Sequence, residues 1–177
     1  VQVEDHLPYN RVNTLHRDRD NRIWFGLNRE GLGYLDVDSS VNIVSVPVAF
    51  KKQPVRCIIE DKDHFLWVGT GGGILRLDLK KSLANPEWKV YQAELTSANV
   101  YLLTFDQNEN LWIGSAEGVD RASLDADQYI IDIKHFGQSE GFLGVETCSD
   151  AVLMDPESNL WFGTISGLTR YNPRNGK

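Results

Sequence analysis

The chain has 177 residues, 41% of them apolar, and carries 25 acidic against 18 basic side chains, a net charge of −7. Length alone allows one domain or a small pair, and the apolar share is that of an ordinary globular chain. No run of Lys or Arg exceeds two residues, so duplex nucleic acid and an anionic membrane surface, which both need a positive field, are not expected as partners.

No apolar stretch approaches the ~18 residues of a membrane-spanning helix, so no direct membrane contact is expected of this segment. The chain starts at Val1 rather than Met and shows no leader, which reads as a processed or excised segment. Cys57 and Cys148 are too few for a disulfide framework or a zinc site. They are expected as two separate buried or half-buried thiols.

Taken in order, residues 1–3 alternate apolar and polar and read as a short strand. Residues 4–11 form a polar loop. Strands are then predicted at 12–17, 23–27, 32–37 and 41–48, with turns at 18–22 and 28–31. The pattern returns at 55–60, 65–70, 74–79 and 88–93, and again at 100–105, 111–115, 119–124 and 129–136. The last set, 149–154, 160–164 and 168–171, stops without a fourth strand. No window sustains the helical 3, 4, 7 spacing, and β-branched and aromatic residues crowd the segments between Gly and Asx turns.

One motif organises these strands. Apolar, Trp, apolar, Gly and usually a small hydroxyl residue recur at Trp24/Gly26, Trp67/Gly69, Trp112/Gly114 and Trp161/Gly163. An Asp stands six residues before each Trp (Asp18, Asp61, Asp106, Asp155), and the Trp positions are 43, 45 and 49 apart. About 45 residues holding four strands is the length of one propeller blade. The fold class is therefore all-β: propeller blades, as four repeats of four-stranded antiparallel sheets, in a partial propeller or a segment of a larger ring.

The chain is expected to be one propeller segment, with repeats at about 12–50, 55–95, 100–138 and 149–177 and with residues 1–5 as a closing strand. A four-bladed ring, a homodimer sharing a larger ring, and a piece of a longer ring all fit, and the last is favoured. In each repeat the Trp is expected to fill the space against the next blade, the Gly to admit a close neighbour, and the Asp to accept N–H bonds in the hairpin turn.

The same residues resemble the two-component regulator propeller repeat. Val55, Ile58, Glu60-Asp61, Leu66-Trp67-Val68-Gly69-Thr70, Gly73-Ile74 and Arg76-Leu77-Asp78 carry it most fully, and residues 155–173 nearly as well. Residues 141–146, Gly-Phe-Leu-Gly-Val-Glu, resemble the approach to the last blade of such propellers. The resemblance implies the periplasmic or extracellular sensor region of bacterial hybrid histidine kinases, where such propellers are ligand-binding input modules and several read oligosaccharides. It implies other domains of the same sensor chain as partners. This segment itself, lacking kinase, receiver and DNA-binding motifs, is not expected to be an enzyme.

The position eleven before each Trp starts the innermost strand and is Asn13, Arg56, Tyr101 or Asp150, while Leu15, Ile58, Leu103 and Val152 follow two residues on. A polar rim over an apolar wall suits a mouth for a small polar ligand or oligosaccharide. Tyr9, Asn10, Arg11, Lys51, Lys52, Asn99, Glu146 and Thr147 lie on the same side at lower weight. The Asp turns echo calcium loops but lack the sixth-position Gly, so they read as plain hairpins, with no metal or cofactor expected. A protein-interaction scaffold and a lyase of the streptogramin-lyase type, with Asp150, Glu146 and Arg56 as its candidates, are the competing functions.

Overall fold

The computed structural model describes residues 11–173. Among them, fifteen strands form four antiparallel sheets, grouped in two compact units that divide after residue 90.

In the first unit, β1 (Val12–Arg17), β2 (Ile23–Leu27), β3 (Leu32–Leu35) and β4 (Val41–Val44) pair in chain order, as do β5 (Val55–Glu60), β6 (Phe65–Thr70), β7 (Gly73–Asp78) and β8 (Trp88–Tyr91). In the second unit, β9 (Leu102–Phe105), β10 (Leu111–Ser115), β11 (Gly118–Leu124) and β12 (Ile130–Phe136) make one sheet. β13 (Thr147–Met154), β14 (Leu160–Thr164) and β15 (Gly167–Tyr171) make another, of three strands. These are propeller blades, and strand positions follow the predicted ones within a few residues.

The clearest difference is at residues 41–48. The strand stops at Val44, and Val48–Phe50 forms a 3-10 turn after Pro47. Proline has no N–H for the ladder, and the turn tucks Phe50 into the core. Cys57 is buried as expected, but Cys148 is exposed. The closing-strand expectation for residues 1–5 lies outside the described residues.

Each unit is held by one blade's Trp face packing on the first strand of the next. In the first unit Trp24, Leu32 and Val44 meet Val55, Ile58, Val68 and Leu75. In the second, Leu102, Trp112 and Val119 meet Leu160 and Phe162, with the Trp112 ring 4.5 Å from Tyr171 and 5.7 Å from Phe162. The motif Gly is the seat for the neighbour. A Cβ on Gly26 would strike Val55, and one on Gly114 would lie 2.7 Å from Thr147 Oγ1. Trp161 departs from the pattern, being only half-buried.

The Asp does more than cap its turn. In all four blades its Oδ2 accepts the indole N–H: Trp24 to Asp18 at 2.7 Å, Trp67 to Asp61 at 2.8 Å, Trp112 to Asp106 at 2.9 Å and Trp161 to Asp155 at 2.7 Å. Its Oδ1 accepts the backbone N–H four residues on, from Arg22, Phe65, Asn110 and Asn159. The residue three after each Asp is left-handed, with φ of 65° at Asn21, 68° at His64, 64° at Glu109 and 67° at Ser158. The hydroxyl that ends the motif closes the next turn, Thr70 donating to the Gly73 carbonyl and Thr164 to Gly167.

Two outcomes follow from this packing. Trp112→Ala should lower unfolding free energy by ~3–5 kcal/mol, as truncation of a buried aromatic does, and Trp161→Ala clearly less. Denaturant melts of both variants measure the difference.

The second concerns acid. Burial works to raise the Asp18 carboxyl, but the donors from Trp24 and Arg22 outweigh it and hold it below its usual 3.8. The Trp161 indole, with Asn159, likewise holds Asp155 down. A carboxyl depressed in the folded state contributes stability that is complete above its unfolded pKa and is lost as pH falls through the folded one. The melting temperature should therefore drop on acidification below about pH 4, and Asp18→Asn should flatten that limb in a pH series of thermal melts.

Candidate functional site

The innermost strands carry the candidate site, and the motif Gly shapes it. β1 pairs β2 with a register shift between Val12 and Thr14, which leaves Asn13 as an extra residue opposite Gly26. β5 shifts between Val55 and Cys57, leaving Arg56 as the extra residue opposite Gly69. In β9 the N–H of Tyr101 reaches the Gly114 carbonyl at 2.8 Å while Leu102 pairs that same Gly. In β13 the shift spans Thr147 to Val152, and Asp150 lies within it, near Gly163. Three of the four rim residues predicted from position alone, Asn13, Arg56 and Asp150, thus lie in register shifts, and Tyr101 stands one residue before β9. A bulge turns a side chain out of the ladder, which explains why this position tolerates Asn, Arg, Tyr and Asp alike.

In the first unit Asn13 is exposed and Arg56 half-buried. The Asn13 Nδ2 donates to the Val55 carbonyl at 3.0 Å, which brings the Asn13 side chain to the peptide that precedes Arg56. Arg11 is exposed beside them, its carbonyl accepting Asn28 N–H. Lys51 and Lys52 are exposed, and the Lys51 carbonyl accepts Glu30 N–H at 2.7 Å. Tyr9 and Asn10 lie outside the described residues.

In the second unit Asp150 is exposed and Tyr101 half-buried, joined by a bond from the Asp150 N–H to the Tyr101 carbonyl at 3.0 Å. The Asn99 amide donates to the Tyr101 hydroxyl at 2.9 Å. Glu146 is half-buried on the same side, its carbonyl accepting Ile165 N–H. Asp150 is held at φ 57°, the left-handed region.

Two expectations need correction. Thr147 is buried and its hydroxyl donates to the Ser115 carbonyl at 3.1 Å, so it belongs to blade packing rather than to the rim. The apolar positions two residues past the rim do not form one wall. Ile58 and Leu103 are buried, Val152 is half-buried and Leu15 is 66% exposed. They pair across to Val68, Ile113, Phe162 and Phe25, on the blade's face. Alternate residues of a strand point to opposite faces, and in a blade both faces are turned toward neighbours.

The Asp turns also look different once side chains are placed. Both carboxylate oxygens of Asp18, Asp61, Asp106 and Asp155 are engaged by the indole and the turn N–H groups, which gives these residues a structural task. The signal for the indole bond was present in the sequence as the constant six-residue interval. Spacing alone does not say that Oδ2 and Nε1 meet.

A family model for the two component regulator propeller matches residues 6–29 and 49–72. Those two segments match the two-component regulator propeller repeat. The matched segments hold the two bulges at Asn13 and Arg56 and the first two Trp-Gly pairs. No curated protein matches the chain.

Among solved structures it is similar to the extracellular domain assigned to a hybrid two component system of B. thetaiotaomicron, at 23% identity and a TM-score of 0.81, over 97% of this chain and 23% of that one. It is also similar to virginiamycin B lyase from Staphylococcus aureus, at 17% identity and a TM-score of 0.66, over 96% of this chain and 60% of that one. PorZ of Porphyromonas gingivalis, described as a surface component of the type-IX secretion system, matches at 15% identity and a TM-score of 0.70, over 94% of this chain and 26% of that one. The chain thus spans about a quarter of the length of the first of these, and the likeness to all three is one of fold.

The left-handed Asp150 makes a testable opposition. Non-Gly residues in strained backbone cost of order 1–3 kcal/mol and gather at functional sites. Asp150→Gly should therefore raise the melting temperature or leave it unchanged, and never lower it. Differential scanning calorimetry of the variant against the parent decides.

Proposed function

We propose that this chain is a ligand-sensing segment of a bacterial two-component sensor, on the periplasmic or extracellular side of the membrane. It binds an oligosaccharide or other small polar ligand through the bulged starts of its innermost strands. The observation that carries the reading is the bulge itself. Asn13, Arg56 and Asp150 lie in register shifts of β1, β5 and β13, and Tyr101 stands one residue before β9, each a different polar or aromatic side chain. The repeat family and the fold shared with an extracellular domain of a two component system support the cellular setting.

The chemistry of the rim suits sugars. In the first unit Asn13 and Arg56 offer amide and guanidinium donors; in the second Tyr101 offers an aromatic face and Asp150 a carboxylate that accepts hydrogen bonds from hydroxyls. Half-buried Arg56 and Tyr101 lose less freedom on binding than fully exposed side chains, which favours them as anchors. Output is the work of other domains of the sensor, and no catalytic step is assigned to this segment.

Isothermal titration calorimetry with a panel of neutral and acidic oligosaccharides tests the proposal. At least one should bind. Arg56→Ala or Tyr101→Ala should weaken it at least tenfold, about 1.4 kcal/mol, with the thermal melt unchanged. No binding across the panel, or binding indifferent to both variants, would refute this site.

A further inference from the structure

Four of the 5 tryptophans belong to the Trp-Gly motif, and the fifth, Trp88, stands where the repeat does not call for one. It opens β8, the outermost strand of its sheet, whereas the outermost strands β4 and β12 open on Val41 and Ile130. The connection before it also differs. Residues 79–87 join β7 to β8, while the shorter runs 36–40 and 125–129 join β3 to β4 and β11 to β12. The shorter runs show that a blade closes without the additional residues.

The long loop is held in shape. Leu83 packs on the core of the first unit, and the Lys81 ammonium meets the Glu87 carboxylate at 2.9 Å across the loop's base. Trp88 is fixed as well. Its indole N–H donates to the Ser45 carbonyl at 2.7 Å, and part of its ring rests on the same core. Ser45, Val46 and Pro47, from the end of β4, form with Asn85, Pro86 and Trp88 an open cleft of about 420 Å³. No lining residue is charged. The Ser45 hydroxyl and the Asn85 amide have no partner among the described residues.

We propose that this cleft is a second ligand site, which takes a neutral hexopyranose unit of an oligosaccharide. The C–H face of a pyranose ring is slightly positive and is drawn to the negative face of an indole. Its hydroxyls then reach Ser45 and Asn85, which can both donate and accept. The volume lies in the ~300–1,000 Å³ range of small-ligand sites. A charged sugar finds no counter-charge in the lining. An extended proline-rich peptide also docks in aromatic grooves, but its carbonyls need donors, and the indole N–H is already engaged by Ser45. The cleft is separate from the rim. β4 and β8 lie three strand spacings from β1 and β5, about 14 Å across the sheet. It therefore does not rest on the roles given to Asn13 and Arg56.

Saturation-transfer NMR on the whole chain tests this with the methyl α- and β-glycosides of glucose, galactose and mannose. At least one should receive saturation, strongest at the protons of one ring face. Asn85→Ala, at an exposed position that leaves the thermal melt unchanged, should weaken binding about tenfold in a titration, and Trp88→Leu at least as much. Arg56→Ala should leave it unaltered, which separates this cleft from the rim. No transfer to any glycoside overturns the proposal. So does transfer that survives both Asn85→Ala and Trp88→Leu, and so does displacement of the bound glycoside by decaproline, which would make the cleft a peptide groove.

Discussion

The bond between each Asp and the Trp six residues later is the constraint on which each blade depends. A carboxylate below the surface needs donors, because desolvation without them is costly. Here the hairpin supplies one set through its own N–H groups and the second strand supplies the indole. A bond between a charged acceptor and a neutral donor contributes about 1.5–3 kcal/mol. More important is its placement: it fixes the indole's depth relative to the turn. The large ring is then presented to the next blade in one orientation. Trp112 meets Phe162 and Tyr171 from that fixed pose.

The motif Gly extends the same logic to the other end of the strand pair. It lies opposite the bulge in β1 and β5, and opposite the doubled start of β9. With no Cβ at Gly114, Leu102 comes within 2.5 Å of where one would be, and Thr147 of the following blade fits above. The inner strand is thereby free to hold an extra residue. The constant Trp-Gly pair and the variable rim are two consequences of one strand pairing. The interior is repetitive because each blade must present the same surface to the next. The bulge residue stands outside the apolar part of that surface and reaches the next blade only through polar bonds, as Asn13 does to the Val55 carbonyl, so its chemistry can differ from blade to blade.

This division explains what could be read in the sequence. The strands were legible because turns and β-rich segments alternate at blade length, and because the four motifs stand in register. The rim residues were legible only as positions. That Asn13 and Arg56 are bulged depends on pairing register, which no local pattern states. The apolar residues two places on were misread as a wall, since strand alternation alone does not say that both faces of a blade are internal. The 3-10 turn at Val48–Phe50 was hidden by apolar residues on both sides of Pro47. The left-handed Glu109 had no signal, since Glu seldom takes that conformation.

A repeat of this kind buries its large surface only against another repeat. Trp161 shows what this means locally. It keeps its bond to Asp155 at 2.7 Å and its stacking under Arg170, so the internal wiring of the blade is complete without a neighbour. What it lacks is apolar cover, in contrast to Trp24 and Trp112 with no exposed surface. Each blade is therefore wired internally by its own hydrogen bonds and stabilised externally by its neighbour. Strand pairing and the Asp–Trp bond are local and hold with or without that cover. Burial of the indole is the collective term, about 25 cal/mol per Å² of apolar surface.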